Sequence, residues 1–302
     1  MAATQMTGVI GGSGVYSLDA LSDVQQVQID TPFGATSSPI TVGLLGGERI
    51  AFLTRHGVGH RLTPSEVPYA ANLYALKQIG VTRVLSVSAV GSLRTDYAPR
   101  SLAIPDQIID RTTNRPRSFF DRGIVAHVGV AHPFCPDFSA AVAGIARQTD
   151  LPVHMGGTYV CIEGPQFSTR AESALFRSWG ASVIGMTAMP EARFAREAEL
   201  CYACVAMVTD YDVWHEDPTE QVNVGAVLRN LAAMTDAVQQ IVSALATLPP
   251  HECSNGCRDA LQHALSTHVD AITPEARERV GLLIDRHLEA MPVRGLANGA
   301  DD

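Results

Sequence analysis

The chain has 302 residues, enough to bury a large core as one α/β domain with appendages or as two domains. Hydrophobic residues make up 46% of the sequence and charged residues 18%, a balance that excludes an intrinsically disordered chain. The formal net charge is −9, and the lysines and arginines form no cluster long enough to follow a phosphate backbone. Nucleic acid is therefore not expected as a partner.

The N-terminal segment 1–12 has neither the basic start nor the apolar run of a signal peptide. No stretch approaches the roughly 18 continuous apolar residues that span a membrane. The sequence therefore predicts a cytoplasmic protein without a membrane partner.

Short apolar runs alternate with amphipathic segments along the chain. The apolar runs predict strands at 8–15, 49–57, 81–92, 154–165, 181–187 and 201–212. The amphipathic segments predict helices at 63–80, 169–180, 190–200 and about 222–247. Thr63 resembles an N-cap, Pro64 suits a first turn and Gly80 a helix end, while Thr169 and Glu172 have the spacing of a capping box.

This alternation predicts the α/β class, with a mixed, mostly parallel central sheet flanked by helices. Ligands of such sheets gather at the carboxyl ends of the strands, so residues at strand ends are the candidates for function. Pro249 and Pro250 mark a boundary. We expect a catalytic domain over 1–248, a C-terminal helical extension over 249–290 with helices at 256–272 and 273–291, and a flexible tail over 291–302.

The cysteines raise the question of a metal or redox site. Cys201 and Cys204 have the spacing of such a pair but lie in an apolar strand pattern, where cysteine usually packs as a small hydrophobe. His251, Cys253 and Cys257 could ligate zinc, but no fourth ligand is evident, which favours a mobile loop with two thiols. The sequence therefore predicts no metal.

Three strand ends carry chemistry suited to an anion. The glycines of residues 10–14 let backbone N–H groups converge, and Ser13 adds a hydroxyl. Arg55 has the bidentate fork suited to phosphate and His56 could add a donor, while Ser88 ends a third strand. Each feature alone is as often structural, but together they favour an anion site. The dinucleotide fingerprint and the phosphate-loop lysine are absent from the sequence, so neither NAD nor ATP is favoured as the ligand.

Two further strand ends offer contacts for a nucleoside. Glu163 could accept from sugar hydroxyls and Phe167 could stack on a flat base, although a tight connection with one buried aromatic is the alternative. Met186 could lie against a sugar while Thr187 donates to phosphate, although a lone methionine is otherwise typical of a core.

Asp210 and Asp212 end the last apolar run, two positions apart. On an extended backbone their side chains would share one face, where like charges repel. The pair is tolerable if a ligand or the protein donates hydrogen bonds to both, or if one carboxyl stays protonated. A strand that leaves the core into a solvated turn is the alternative.

These residues, taken with their flanks, resemble the purine nucleoside phosphorylase superfamily, and within it the trimeric members that cleave S-methyl-5′-thioadenosine. The resemblance rests on segments in the same order over nearly all of 8–247: GVIGGSGV, DTPFG, TRHG with His60, VPYAANLYALK, DQIIDRTTNRPRSFFD, HPFCP, IEGPQFSTRAES, GMTAMPEA and TDYDVW. It implies a nucleoside phosphorylase fold assembled as a homotrimer. It also implies inorganic phosphate as co-substrate and no cofactor.

The resemblance assigns roles to individual residues. The positions that match the phosphate site are Ser13, Arg55, His56, Ser88, Ala89 and Thr187. Those that match nucleoside contacts are Phe167, Ser168, Met186, Asp210, Asp212, Val224 and Val227, with His127 supplied by the neighbouring subunit. Asp210 is expected to act as the general acid at purine N7 and Asp212 to read the 6-amino group, although the two roles could be exchanged.

The expected reaction is phosphorolysis of S-methyl-5′-thioadenosine to adenine and 5-methylthioribose 1-phosphate, in purine and methionine salvage. A broader phosphorylase of adenosine, inosine or guanosine, a phosphate-independent hydrolase and a catalytically silent nucleoside-binding protein remain alternatives. The chain departs from some relatives at Gly185, where they carry asparagine, and in the length of 251–302. The resemblance also suggests a disulfide between Cys135 and Cys201.

Overall fold

The computed structural model describes residues 6–12, 20–217, 221–249 and 253–288. Eleven strands of this part of the chain form one sheet. The strands are β1 Met6–Gly11, β2 Ser22–Val27, β3 Ile40–Leu45, β4 Glu48–Thr54, β5 Val81–Ser92, β6 Leu102–Ile104, β7 Gln107–Arg111, β8 Val153–Met155, β9 Thr158–Ile162, β10 Val183–Gly185 and β11 Cys201–Asp210. The predicted α/β class is confirmed.

The strand β5 is the branch point of the sheet. The order along the main path is β2-β3-β4-β1-β5-β10-β9-β7, while β11 pairs with the other edge of β5 and continues to β6 and β8. β1 and β11 run parallel to β5, and β10 pairs with its end in the antiparallel sense. Every residue of β1 and β11 is buried, as expected for continuous apolar strands covered on both faces.

Six α-helices cover this sheet in the described residues. They are α1 Tyr69–Gln78, α2 Pro136–Ala146, α3 Arg170–Ser178, α4 Ala188–Glu197, α5 Val224–Ala246 and α6 Pro274–Leu288. The capping box predicted for α3 is present, since Thr169 accepts from the Glu172 amide and Glu172 accepts from the Thr169 amide. The helix predicted from Thr63 begins only at Tyr69, because Glu66 instead bonds back to Thr63 and closes a separate turn.

The prediction for the extension is half right. The helix predicted at 273–291 is α6, but 256–272 forms turns and two short 3₁₀ segments, Cys257–Asp259 and Val269–Ala271. The backbone here bonds to another segment rather than to itself: Ala264 O accepts from the His127 amide, and Leu265 bridges Ala126. Helical periodicity in the sequence was outweighed by this tertiary pairing.

The extension packs onto the rest of the chain through apolar contacts. Val280, Leu283 and Ile284 of α6 are buried in the same hydrophobic cluster as Leu73 of α1. Beside them, His287 and Arg286 bond to the buried carboxylate of Glu199. Residues 253–288 therefore share a core with the sheet. No helix among the described residues is both long and apolar enough to cross a bilayer.

A buried ion pair ties the centre of the sheet to α4. Arg55 follows β4 and is 2% exposed, and Glu191 of α4 is fully buried. Arg55 Nε and Nη2 donate to the two Glu191 oxygens at 2.8 and 3.0 Å. The same guanidinium donates to the carbonyls of Ile10 on β1 and Val87 on β5, and Tyr202 of β11 donates to Glu191 at 2.8 Å. One pair thus joins four strands and a helix.

Replacing Glu191 with glutamine should lower the free energy of unfolding by about 3 kcal/mol, because the Arg55 charge stays buried without its counter-ion. Urea unfolding followed by circular dichroism measures this. Asp96→Asn is the matched control, since Asp96 pairs with Arg94 at 2.7 Å where both side chains are about half exposed. That change should cost less than about 1 kcal/mol. Equal losses in the two variants would contradict the central role of the Glu191 pair.

Candidate active site

A cavity of about 360 Å³ opens at the carboxyl ends of β4, β5, β10 and β11. Its size is in the range that small-molecule sites occupy. The residues that the sequence singled out and that line it are Arg55, His56, Ser88, Ala89, Phe167, Ser168, Met186, Thr187, Asp210, Asp212 and Val227. Ser13 lies outside the described residues. Strand ends that are remote in sequence thus converge, as the parallel-sheet argument predicts.

Thr187 and Ser88 offer hydroxyl groups to an anion in this cavity. Thr187 directly precedes α4, whose backbone is kinked by a non-helical Met189 before its regular turns begin. The Thr187 side chain makes no capping hydrogen bond within the described chain. Ser88 is 9% exposed, and its Oγ lies 3.7 Å from the Cys204 sulfur. Both hydroxyls are placed to donate to a bound phosphate.

Arg55 lines the cavity but does not present the open fork that the sequence predicted. Both edges of its guanidinium are engaged, with Glu191, the Val87 and Ile10 carbonyls and the Ser86 hydroxyl. A bidentate clamp on phosphate would have to break the buried ion pair. The bidentate role is therefore corrected. Arg55 positions β1, β4 and β5, and its charge raises the local positive potential.

His56 is held as a neutral ring. Its Nδ1 lies 2.9 Å from the Leu62 carbonyl and so carries the hydrogen. Burial, with the Arg55 charge adding to it, lowers the pKa of His56 to about 4. In this tautomer Nε2 is an acceptor, not the second donor that the sequence suggested. Such an acceptor suits the P–O–H group of hydrogen phosphate.

The two aspartates reach the cavity by a turn and not by strand periodicity. β11 ends at Asp210, and Asp212 has a left-handed backbone with φ of 55°. The Asp212 amide donates to Asp210 Oδ1 at 2.9 Å, and Thr209 Oγ1 donates to Oδ2 at 2.7 Å. The extended-strand argument was therefore wrong in its geometry. Its conclusion that both side chains face one site holds, since both line the cavity.

Burial sets the protonation of these carboxyls. It raises the pKa of Asp210 to about 6, although hydrogen bonds from Thr209 and the Asp212 amide oppose the shift. Burial also raises the pKa of Asp212. Ser168 Oγ lies 2.8 and 2.7 Å from the two Asp212 oxygens. One hydroxyl has one hydrogen, whereas the two carboxylate oxygens have four lone pairs, so Asp212 keeps acceptor capacity for a ligand donor.

Two glycines leave room for neighbouring side chains at the cavity. Gly91 of β5 faces Asp210, and a Cβ there would lie 2.8 Å from Asp210 Oδ1. At Gly185 of β10 a Cβ would overlap the Tyr159 hydroxyl. The tyrosine thus fills the space that the asparagine of some relatives would need. Sequence reasoning missed the role of Gly91, because only the pairing of β5 with β11 reveals it.

Several other expectations changed. Glu163 does not line the cavity; it accepts from the Ser65 hydroxyl, the Thr113 amide and Arg115. Although partial burial opposes the shift, these hydrogen bonds lower the pKa of Glu163 to about 2. Its contacts are those of a structural anchor and not of a sugar ligand. Val224, at the start of α5, is 64% exposed and does not line the cavity.

The face of α5 that borders the cavity is longer than predicted. Besides Val227 it contributes Leu231, Thr235 and Val238, which are spaced by three or four residues. Helical periodicity was the signal that could have found them. The aromatic Phe167 is 44% exposed at the same cavity, and His127 is exposed and does not line it.

Comparison with known proteins agrees with this geometry. The model of a family described as the phosphorylase superfamily matches residues 7–247. This chain belongs to that superfamily. An S-methyl-5′-thioadenosine phosphorylase of Geobacter sulfurreducens is 48% identical over 94% of this chain and 99% of its own. One of Cereibacter sphaeroides is 50% identical over 94% of this chain and 99% of its own.

Solved structures agree with the sequence relatives. A methylthioadenosine phosphorylase from an Antarctic soil metagenomic library superposes with a TM-score of 0.88, at 45% identity over 93% of this chain and 100% of its own. A methylthioadenosine phosphorylase of Schistosoma mansoni in complex with adenine superposes with a TM-score of 0.79, at 33% identity over 84% of this chain and 96% of its own. The fold is therefore the nucleoside phosphorylase fold. Coverage above 90% of the chain also means that much of the extension is shared with relatives, which corrects the expectation that 251–302 is a departure.

If Asp210 acts as a general acid, this protein should lose activity as pH rises, because the protonated fraction of Asp210 falls above about pH 6. The measurement is kcat/KM for wild type and Asp210→Asn, both with saturating phosphate, from about pH 5 to about pH 8. Phosphate titrates equally for both proteins, so their ratio isolates Asp210. This ratio should fall by about tenfold per pH unit above the pKa. A ratio that stays constant with pH would contradict the acid role.

Proposed function

We propose that this chain catalyses the phosphorolysis of S-methyl-5′-thioadenosine to adenine and 5-methylthioribose 1-phosphate. The observation that carries the proposal is the buried Asp210 carboxyl, whose pKa is raised to about 6. It lies beside Asp212 in a cavity that is also lined by groups able to donate hydrogen bonds to an anion. The two sequence relatives described above carry this activity in their names. Nearly full coverage of both chains supports its transfer.

Phosphate is proposed to bind where His56, Ser88 and Thr187 meet, with the Ala89 backbone beside them. The Ser88 and Thr187 hydroxyls donate to its oxygens. The P–O–H group donates to His56 Nε2, leaving another phosphate oxygen free to attack. The role of Ser13 in this binding is part of the proposal and rests on the sequence resemblance alone.

The reaction replaces one bond to the anomeric carbon with another. The bond from C1′ to N9 breaks, its electron pair goes to the purine, and a phosphate oxygen bonds to C1′ through an oxocarbenium-like transition state. Asp210 gives its proton to N7 and so neutralises the departing adenine. The hydrogen that phosphate brought passes to solvent as the sugar phosphate leaves, and solvent returns one proton to Asp210, so no proton is gained or lost overall. No cofactor takes part in this scheme.

Asp212 is proposed to select adenine. An ionised oxygen accepts from the 6-amino group, while Ser168 holds the other oxygen. A 6-oxopurine presents an acceptor at this place, so a carboxylate there would face it without a hydrogen bond. Phe167 and Met186 line the same cavity and offer apolar faces to base and sugar. The apolar stripe of α5 from Val227 to Val238 fits the 5′-methylthio group.

Purified protein should release adenine from S-methyl-5′-thioadenosine only when phosphate is present. Release without phosphate would indicate a hydrolase, and binding without turnover would indicate a nucleoside-binding protein; either contradicts the proposal. Asp212→Asn tests base choice, with adenosine and inosine run in parallel, because an asparagine amide can donate to a 6-oxo group. The ratio of kcat/KM for inosine to that for S-methyl-5′-thioadenosine should rise at least about tenfold, equivalent to about 1.4 kcal/mol. An unchanged ratio would remove Asp212 from the specificity argument.

A homotrimer is proposed to complete the site, with His127 reaching the nucleoside of a neighbouring chain. The support is the exposure of apolar and aromatic groups near the cavity mouth: Phe167 is 44% exposed, Val224 64% and Leu228 61%. A cytoplasmic location, with no membrane or nucleic-acid partner, remains part of the same proposal.

Sedimentation should give three times the chain mass, and His127→Ala should assemble equally but raise KM for the nucleoside. The phosphate KM should stay unchanged, because His127 is proposed to touch only the nucleoside. A fully active monomer would contradict the shared site.

A further inference from the structure

Four cysteines from three segments that are remote in sequence meet in one cluster. Cys135 precedes α2, Cys201 begins β11, and Cys253 and Cys257 lie in the loop that opens the extension. Their four sulfur atoms all lie within 4.8 Å of one another. None of the four is in a disulfide. Three of the side chains are buried and Cys253 is partly buried.

The spacing of the sulfurs fits a tetrahedral metal. Zinc–sulfur bonds of about 2.3 Å give sulfur–sulfur edges of about 3.8 Å in a regular tetrahedron. Cys135 Sγ and Cys253 Sγ are 3.7 Å apart, close to that edge. Four thiolates with no open position are the donor set of a structural zinc site, and soft sulfur ligands exclude magnesium or calcium.

Groups around the cluster are arranged as in a second coordination shell. The Cys257 amide donates to Cys253 Sγ at 3.4 Å, and Asn255 Nδ2 to Cys257 Sγ at 3.8 Å. Such N–H to sulfur bonds orient thiolates and spread their charge. Gly256 has φ of 62°, which allows the tight turn between the two cysteines. The loop is also fixed from outside, because Ser254 donates twice to Asp137 of α2.

Three arginines near the cluster each have one buried guanidinium nitrogen without a hydrogen-bond partner among the described residues. They are Arg83, Arg196 and Arg258. Arg196 interacts electrostatically with Cys257, and Arg83 with Cys201. Four thiolates and one Zn²⁺ carry a net charge of −2, which these cations would balance. Four neutral thiols would offer these cations no charge to balance theirs at the cluster.

We propose that Cys135, Cys201, Cys253 and Cys257 bind one structural Zn²⁺ that fastens the extension to α2 and β11. Zinc binding releases the thiol protons and forms four zinc–sulfur bonds, with no change of oxidation state. The site departs from the sequence expectation of no metal, because only the fold brings Cys135 and Cys201 to the loop. It does not rest on the proposed enzymatic function. Cys201 and Asp210 lie at opposite ends of β11, about 30 Å apart, so the metal is remote from the chemistry.

The test is the metal content of the full chain, expressed with added zinc and purified with a phosphine reductant and without chelators. Mass spectrometry of the metal should find about one zinc per chain. The double variant Cys253→Ser, Cys257→Ser should fall to background. Cys161→Ser is the matched control, because this buried cysteine lies outside the cluster. The control variant should contain as much zinc as wild type.

Cobalt provides a second readout that does not depend on the variants. Cobalt-loaded wild type should show the intense visible bands and the sulfur-to-cobalt charge transfer of a tetrahedral tetrathiolate site, which the control keeps and the double variant loses. Removal of zinc by a chelator should lower Tm in wild type and not in the double variant. Wild type without zinc would overturn the proposal, whether its thiols are free or paired as disulfides. Iron in place of zinc would overturn the choice of metal.

Discussion

The buried pair of Arg55 and Glu191 is the interaction on which the rest of the molecule depends. Taking two charges out of water is expensive, and the pair is tolerated because every remaining donor and acceptor finds a partner. Those partners are backbone carbonyls of β1 and β5 and the Tyr202 hydroxyl of β11. The ends of these strands line the cavity, so the ion pair fixes the relative positions of the cavity walls. Its position also explains why Arg55 lines the cavity without being free to clamp a ligand.

The same low-dielectric surroundings set the electrostatics of the two aspartates. Asp210 is surrounded by protein that gives it two hydrogen bonds but no cation, so burial dominates and its neutral form persists near pH 6. Asp212 has the Ser168 hydroxyl beside both of its oxygens and keeps acceptor capacity for a further donor. Local contacts thus give two identical residues different surroundings. The acid and acceptor roles proposed for them rest on this difference.

Much of this could be predicted from the sequence, because strand ends in a mostly parallel sheet converge by topology alone. His56, Thr187 and Asp210 were found in this way. Partners that depend on the tertiary fold could not be found: Glu191 lies 136 residues from Arg55, and nothing in the sequence pairs them. The turns of 256–272 were missed for the same reason, since their backbone partner is residues 125–127. The cysteine cluster also exists only once α2, β11 and the extension are assembled.

The contact between Gly185 and Tyr159 has an evolutionary consequence. A side chain at 185 and the full tyrosine at 159 exclude each other, because they would occupy the same volume between β9 and β10. Relatives with asparagine at the first position should therefore carry a smaller residue at the second. Asparagine at 185 alone would force the buried tyrosine out of its place. A lineage that gains a side chain at 185 must first shrink residue 159, and one that gains tyrosine at 159 must first lose the side chain at 185, so sterics set the order of the two substitutions in each direction.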